Sequence, residues 1–281
     1  MSKAIEWTVK DARVELGTRS VIVGILNATP DSFSDGGQVD SVESAVARAL
    51  RMLDDGAGII DVGGESTRPG FEPVSPEDEI GRVVPVIEDL IGKRPDCILS
   101  VDTSKAIVAE AALKAGARVV NDIWGFQFDP EMAAVAAASS AGVILMRNGR
   151  DGELGGSVLN RIRASWEKSL RLASAAGVAE SAIALDPGVG FGTTRQEDLE
   201  ILRGLEVLRS FGFPLMLGAS RKRITAQPKG LPLEKRLEAT LATSVAGVMA
   251  GVELFRVHDV AENARALDFS DLIYRGGRLD E

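Results

Sequence analysis

The strongest constraint on the fold is a rhythm of short apolar runs. Eight of them recur along the chain, rich in β-branched residues, each followed by a segment with helical spacing. They are Val21–Leu26, Gly58–Val62, Ile98–Val101, Arg118–Val120, Gly142–Met146, Ala182–Leu185, Pro214–Leu217 and Val252–Val257. The runs are continuous rather than alternating, as expected of strands covered on both faces. Their centres lie roughly 20–40 residues apart, enough for a helix and two loops each time. Eight β-then-α units in 281 residues fit an α/β chain folded as a (β/α)8 TIM barrel. The rival, an open doubly wound sheet, is weakened because no GxGxxG follows the first run.

The barrel is expected over residues 20–268. Before it, Trp7 to Leu16 alternates in places and predicts a hairpin, within 1–19, that closes the barrel floor. Residues 269–281 are expected as a C-terminal tail, and no linker, low-complexity tract or repeat divides 1–281 into more than one domain. Ser75-Pro76 followed by Glu77, Asp78 and Glu79 predicts a helix start. Asp40 and Glu43 resemble a capping pair, and Gly56, Gly92, Gly116 and Gly212 are expected helix stops.

Composition narrows the function. Lys+Arg 32 against Asp+Glu 41 gives a net charge of −9, which argues against nucleic-acid and membrane-surface partners. The longest near-apolar stretch, Ala133 to Met146, is about 14 residues, short of the roughly 18 that span a bilayer. The N-terminus has no apolar signal region, and one cysteine, Cys97, excludes an internal disulfide. A cytoplasmic globular protein is the expectation. Cys97 reads as a small buried apolar residue, and the absence of HExxH and CxxC argues against a structural zinc.

In a TIM barrel the chemistry belongs to the carboxyl ends of the strands. There the chain has Asn27, Asp61 with Glu65, Asp102, Asn121, Arg147, Asp186, Ser220-Arg221-Lys222, Arg256 and His258. Any one of these is more simply a cap or turn residue. As a set around one mouth they suit a flat heterocycle with an amino-pyrimidinone edge. A carboxylate accepts an exocyclic amine and a ring N–H together, and a lysine donates to a ring carbonyl. The alternative is Asp–Lys and Asp–Arg pairs that only close the mouth. Arg68, Lys222, Arg256 and His258 form a cationic set, and the last two sit where this fold binds phosphate. His258, the only histidine, reads as a phosphate ligand rather than a general base. Two Gly-rich loops, Asn27–Gly37 and Gly63–Gly70, complete the mouth.

The strings ILNATPDSFSDGG, IIDVGGESTRPG, SVDTSK, VVNDIWGF, LDPGVGFG, GASRK and FRVHDV occur in this order. Together they resemble the dihydropteroate synthase family, from about residue 20 to residue 268. That family joins p-aminobenzoate to a dihydropterin carrying a hydroxymethyl diphosphate, with Mg²⁺, and releases pyrophosphate. The resemblance implies a pterin site of Asp102, Asn121, Asp186, Lys222, Met146, Ile123 and Gly218. It implies diphosphate contacts from Asn27, Arg68, Arg256 and His258, with Asn27 near Mg²⁺. Phe33, Thr67, Arg68, Pro69, Phe191 and Arg223 would form the p-aminobenzoate pocket. Lys222, Arg256, His258 and Asp102 would carry catalysis. A homodimer and sulfonamide sensitivity are further implied.

Three positions depart from the family's commonest pattern. Arg223 follows the lysine where a serine is usual, Arg147 stands where many members have histidine, and Thr193 stands where many have lysine. Thr193 is expected to be a surface change; the other two bear on recognition of the second substrate. Two other functions share parts of the pattern: a corrinoid-linked pterin methyltransferase, and a pterin-binding paralogue that has lost synthesis. The two loop strings argue against the first, and intact Asn27, Arg68, Lys222 and His258 against the second.

Overall fold

The computed structural model describes residues 4–28, 42–65, 74–150, 152 and 155–276. A hairpin of β1 (Ile5–Val9) and β2 (Ala12–Leu16) comes first. The eight parallel strands of the barrel are β3 (Val21–Asn27), β4 (Ile59–Gly63), β5 (Ile98–Asp102), β6 (Val119–Asp122), β7 (Gly142–Met146), β8 (Ile183–Asp186), β9 (Met216–Leu217) and β10 (Leu254–Val257). They pair in the order β8-β7-β6-β5-β4-β3-β10-β9. A parallel bridge from Leu185 to Leu215 joins the two ends of that order. The helices are α1 (Val42–Asp54), α2 (Pro76–Lys93), α3 (Ala106–Ala115), α4 (Met132–Ala138), α5 (Val158–Ala176), α6 (Arg195–Arg203), α7 (Leu205–Arg209), α8 (Leu237–Met249) and α9 (Val260–Tyr274). This is the expected TIM barrel.

Each observed strand begins and ends within two residues of its apolar run. Several extend one residue further, into Asn27, Gly63, Asp102 or Asp186. An apolarity criterion stops short there because the last pair of the ladder carries the polar mouth.

Side chains in a strand alternate between faces, so each strand sends every second residue into the barrel. Val23, Ile59, Val119, Ile144, Ala184, Met216 and Leu254 form one apolar layer, with Ile98 packed against it. Trp7, Val9 and Leu16 of the hairpin join this layer and close the floor, each fully buried. The Trp7 indole N–H donates to the Ala182 carbonyl at 2.8 Å. Two residues further along each strand come Ile25, Asp61, Ser100, Asn121, Met146, Asp186, Gly218 and Arg256. Two further still come Asn27, Gly63, Asp102, Ile123, Asn148, Gly188, Ser220 and His258. An apolar plug therefore sits below two layers of mostly polar residues.

Ser75 caps α2 by accepting from the Asp78 N–H at 3.1 Å, and Gly116 ends α3 at φ +124°. Two expectations need correction. Gly92 does not stop α2, which continues to Lys93 because the Arg94 N–H still reaches the Leu90 carbonyl at 2.8 Å. Residues 269–274 are not tail but the end of α9, whose Ser270 is buried and whose Asp271 accepts from the Ser20 hydroxyl and N–H. Asp40 lies outside the described residues. Among these, no helix is long and apolar enough to cross a membrane.

Candidate active site

The mouth is built by register. Asn27 on β3 pairs with Gly63 on β4, Gly63 with Asp102 on β5, and Asp102 with Asn121 on β6. On the far side Met146 of β7 pairs with Asp186 of β8. Arg256 rises from β10 and spans the opening. Its Nε donates to Asp61 Oδ2 and its Nη2 to Asp102 Oδ2, both at 2.6 Å. Asn121 Nδ2 donates to the same Asp61 oxygen at 2.9 Å.

Gly218 marks where the other half converges. A Cβ there would lie 3.6 Å from Asp186 Oδ2, 3.8 Å from Lys222 Nζ and 3.8 Å from Arg256 Cβ. Glycine leaves this space between an acid, an ammonium and the root of the Arg256 side chain. Asp186 is held from behind: its Oδ1 accepts the Gly188 N–H at 2.7 Å, and its carbonyl accepts the Trp166 indole N–H at 3.1 Å. Gly188 has φ +74°, and a Cβ there would collide with the Arg147 carbonyl, so only glycine permits this turn. Lys222 Nζ donates to the Val189 carbonyl at 2.7 Å and lies 4.6 Å from the Phe191 ring centroid. The Arg150 guanidinium also lies over that ring, at 4.8 Å.

Burial sets the electrostatics. It raises the Asp102 carboxyl to about 7; Arg256 opposes this, while Asp61, Glu79 and Asp122 add to it. Burial likewise raises Asp186, against the pull of Lys222 and Arg256. It lowers Lys222 to about 8, against Asp186. Arg256 is pushed above its usual value despite its burial, because Asp61 and Asp102 flank it. One oxygen each of Asp61 and Asp102 is buried without a hydrogen-bond partner. Unsatisfied buried acceptors of this kind are rare in a finished core and mark a place for ligand donors.

His258 follows Arg256 on the same face. Ser220 Oγ accepts the His258 backbone N–H at 3.2 Å and lies 3.0 Å from Nδ1. The one Ser220 hydroxyl thus holds both the backbone and the ring of His258 in place.

Of the expected site residues, Asp102, Asn121, Asp186, Lys222, Gly218, Met146 and Arg256 come together around this opening, with Asn27 level with Asp102 at the strand ends and Ile123 and His258 just beyond β6 and β10. Phe191 abuts it through Lys222. Arg223 is exposed beside Lys222, at the start of a 3₁₀ turn. Phe33, Thr67, Arg68 and Pro69 lie outside the described residues. Arg147 is buried, packed under Gly149, with Nη1 3.4 Å from the carbonyl of Phe191. Thr193 is not a surface change. It is buried, donates to Asp198 Oδ1 at 2.5 Å and accepts the Gly190 N–H at 3.1 Å. Cys97 is half-buried just before β5. Asp61 and Ser220 stood among the strand-end residues without a role. Stepping by two from Ile59 and Met216 would have put both on the inner face.

Magnesium finds a limited but suitable donor set. Among the described residues no group of three or more His, Cys, Asp or Glu could hold a metal. Asn27, partly exposed at the end of β3, offers one hard amide oxygen. That suits an ion that keeps most of its coordination for water and phosphate oxygens.

A parallel barrel with a buried acid–amide–cation mouth defines a class of small-molecule enzymes. Within that class, residues 23–258 match the model of the pterin binding enzyme family. A dihydropteroate synthase of Clostridium beijerinckii is 48% identical over 92% of this chain and 96% of its own length. A solved dihydropteroate synthase from Clostridium difficile, crystallised in the presence of pteroic acid, is 44% identical. It superposes with a TM-score of 0.89 over 92% of this chain and 98% of that one. The Xanthomonas albilineans enzyme, solved with 4-aminobenzoic acid, is 35% identical with a TM-score of 0.91, covering 96% and 98%. The chain belongs to the dihydropteroate synthase family of pterin-binding enzymes.

Proposed function

We propose that this chain condenses p-aminobenzoate with 6-hydroxymethyl-7,8-dihydropterin diphosphate to give 7,8-dihydropteroate and pyrophosphate. The observation that carries this reading is the meeting of Asp186, Lys222 and Arg256 around Gly218, beside Asp102 and Asn121. Asp186 Oδ2 accepts from the amine and ring N–H of the pterin edge, and Lys222 Nζ donates to its ring carbonyl. Asp102 and Asn121 hold the opposite edge; Met146 and Ile123 pack on its faces.

The reaction breaks the C–O bond between the pterin methylene and the diphosphate. The electron pair leaves with pyrophosphate, and the methylene cation is stabilised by the pterin ring. The arylamine nitrogen then bonds to that carbon and gives up a proton to solvent. Because the amine is a neutral nucleophile, the chain needs charge stabilisation on the leaving group more than a general base. Arg256 and His258 supply it, with Arg68 and Asn27. Mg²⁺, held by Asn27 together with the diphosphate, would add charge neutralisation on the departing oxygens. Phe33, Thr67, Pro69, Phe191 and Arg223 receive p-aminobenzoate.

The same reading has the enzyme act in the cytoplasm as a homodimer. The exposed apolar strip of Met249, Phe269, Ile273 and Tyr274 on α8 and α9 suits burial against a second copy; sedimentation tests this. The activity is tested with both substrates and Mg²⁺. Pyrophosphate release that requires p-aminobenzoate and matches dihydropteroate formed is expected. No release, or release without dihydropteroate, contradicts the reading.

A further inference from the structure

Asp61 has no assigned part in the reaction, yet it sits at the centre of the mouth. It is fully buried. One of its oxygens, Oδ2, accepts from Arg256 Nε at 2.6 Å and from Asn121 Nδ2 at 2.9 Å. Asn121 belongs to the ring-holding half of the site and Arg256 to the diphosphate half. They arrive from β6 and β10, and Asp61 on β4 hydrogen-bonds to both. Its other oxygen is buried without a partner, so both hydrogen bonds to this carboxylate, from Arg256 and Asn121, fall on the one oxygen Oδ2.

We propose that Asp61 is a positioning residue that fixes Arg256 and Asn121 relative to each other, and so holds the leaving-group cation in line with the bound ring. This rests on the function proposed above and deepens it. A guanidinium on a long side chain has many rotamers. Two short charge-assisted bonds restrict it to one. Asp102, the second of these partners, is also a ring contact. When the ring's N–H groups take up Asp102, Asp61 keeps hold of Arg256.

The groups facing Asp102 are Arg256 from β10, Asp61 from β4, Glu79 from α2, Asp122 from β6 and Lys222 from the loop after β9. Removing the Asp61 charge takes away one repulsion and frees Arg256 for Asp102. Both effects ease ionisation of Asp102, so the acid limb of pterin binding moves to lower pH.

The test is Asp61→Asn, which keeps the shape. Expected are a kcat lower by roughly 10–100-fold, the usual cost of losing a group that orients a functional side chain, and an acid limb lower by about one pH unit. The KM for p-aminobenzoate should stay within about twofold of the parent, since among the described residues the Asp61 side chain hydrogen-bonds to Arg256 and Asn121 and not to Phe191 or Arg223. Made on top of Arg256→Gln, Asp61→Asn should cost no more than about twofold further, because the guanidinium it anchors is already gone and the amide oxygen of the new side chain still accepts from Asn121 Nδ2. Unchanged kcat and acid limb in Asp61→Asn, or a full second loss on the Arg256→Gln background, would overturn the proposal. Should Asp61→Asn alone not fold, the comparison of Arg256→Gln with the doubly neutral variant decides it. A parent that makes no dihydropteroate would instead sink the functional reading, and is distinguishable from an active parent matched by its Asp61→Asn variant.

Discussion

Arg256→Ala tests structure and chemistry together. The guanidinium makes two 2.6 Å bonds, to Asp61, which is 0% exposed, and to Asp102, which is 9% exposed. Removing one partner of a buried ion pair costs about 3–5 kcal/mol, because the remaining charge stays desolvated. The Arg256 side chain is 18% exposed, so water can enter the space it leaves, and about 3 kcal/mol at pH 8 is the expectation. For a chain of this size that lowers the Tm by roughly 6–12 °C. The loss should shrink at pH 6. Burial already holds Asp102 up to about 7 and Arg256 pulls it down, so without Arg256 this acid is protonated more readily and no longer adds an unpaired charge. Turnover should fall on the order of 10²-fold, about 3 kcal/mol of barrier, as for other donors that stabilise a developing oxyanion. Urea melts at the two pH values and pyrophosphate release at saturating substrate read both effects. A stability loss below about 1 kcal/mol with turnover within a few-fold of the parent would refute the reasoning.

Pterin affinity should be bell-shaped in pH. It falls below about 7 as Asp102 is protonated and above about 8 as Lys222 loses its proton; a flat titration from pH 6 to 9 contradicts these roles. Trp7→Ala empties the largest side chain of the floor and orphans the Ala182 carbonyl, and should cost about 3–5 kcal/mol in denaturant unfolding. A cost under about 1 kcal/mol would show that the hairpin does not plug the barrel. Arg223→Ser should change the KM for p-aminobenzoate more than that for the pterin, and equal changes would remove Arg223 from the second pocket.

Much of this architecture was legible in the sequence because a parallel barrel is written in local terms. Covered strands are continuous apolar runs, and each run ends where its polar mouth residue begins. Asp102, Asn121 and Asp186 are legible from that punctuation, whereas Arg256 lies inside its run, Val252–Val257, as a charge among apolar residues. What could not be picked was which of them touch. The bond between Asp61 and Arg256 joins residues 195 apart in sequence, and their contact depends on the register of strands around a closed sheet. Asp61 looked like any strand-end acid until that register placed it under Arg256. The burial of Thr193 is hidden from the sequence for a related reason. A threonine after a Gly-rich turn reads as surface, but Asp198 at the start of α6 folds back over it and the turn closes on both. Arg147 has the charge of a ligand-binding residue and the burial of a core one, and a guanidinium's destination is not encoded by its neighbours. β9 retains only two residues of strand, because Gly218 and the residues after it leave the ladder to form the site.

The central claim is that residues from distant strands grip one molecule. Calorimetric titration with 6-hydroxymethyl-7,8-dihydropterin diphosphate should therefore weaken separately in Asn121→Ala, Asp186→Asn and His258→Ala. A hydrogen bond involving a charged group contributes about 1.5–3 kcal/mol, so each affinity should drop by roughly 10–100-fold. Parent-like affinity in any two of these variants would mean that the strand ends do not share a ligand.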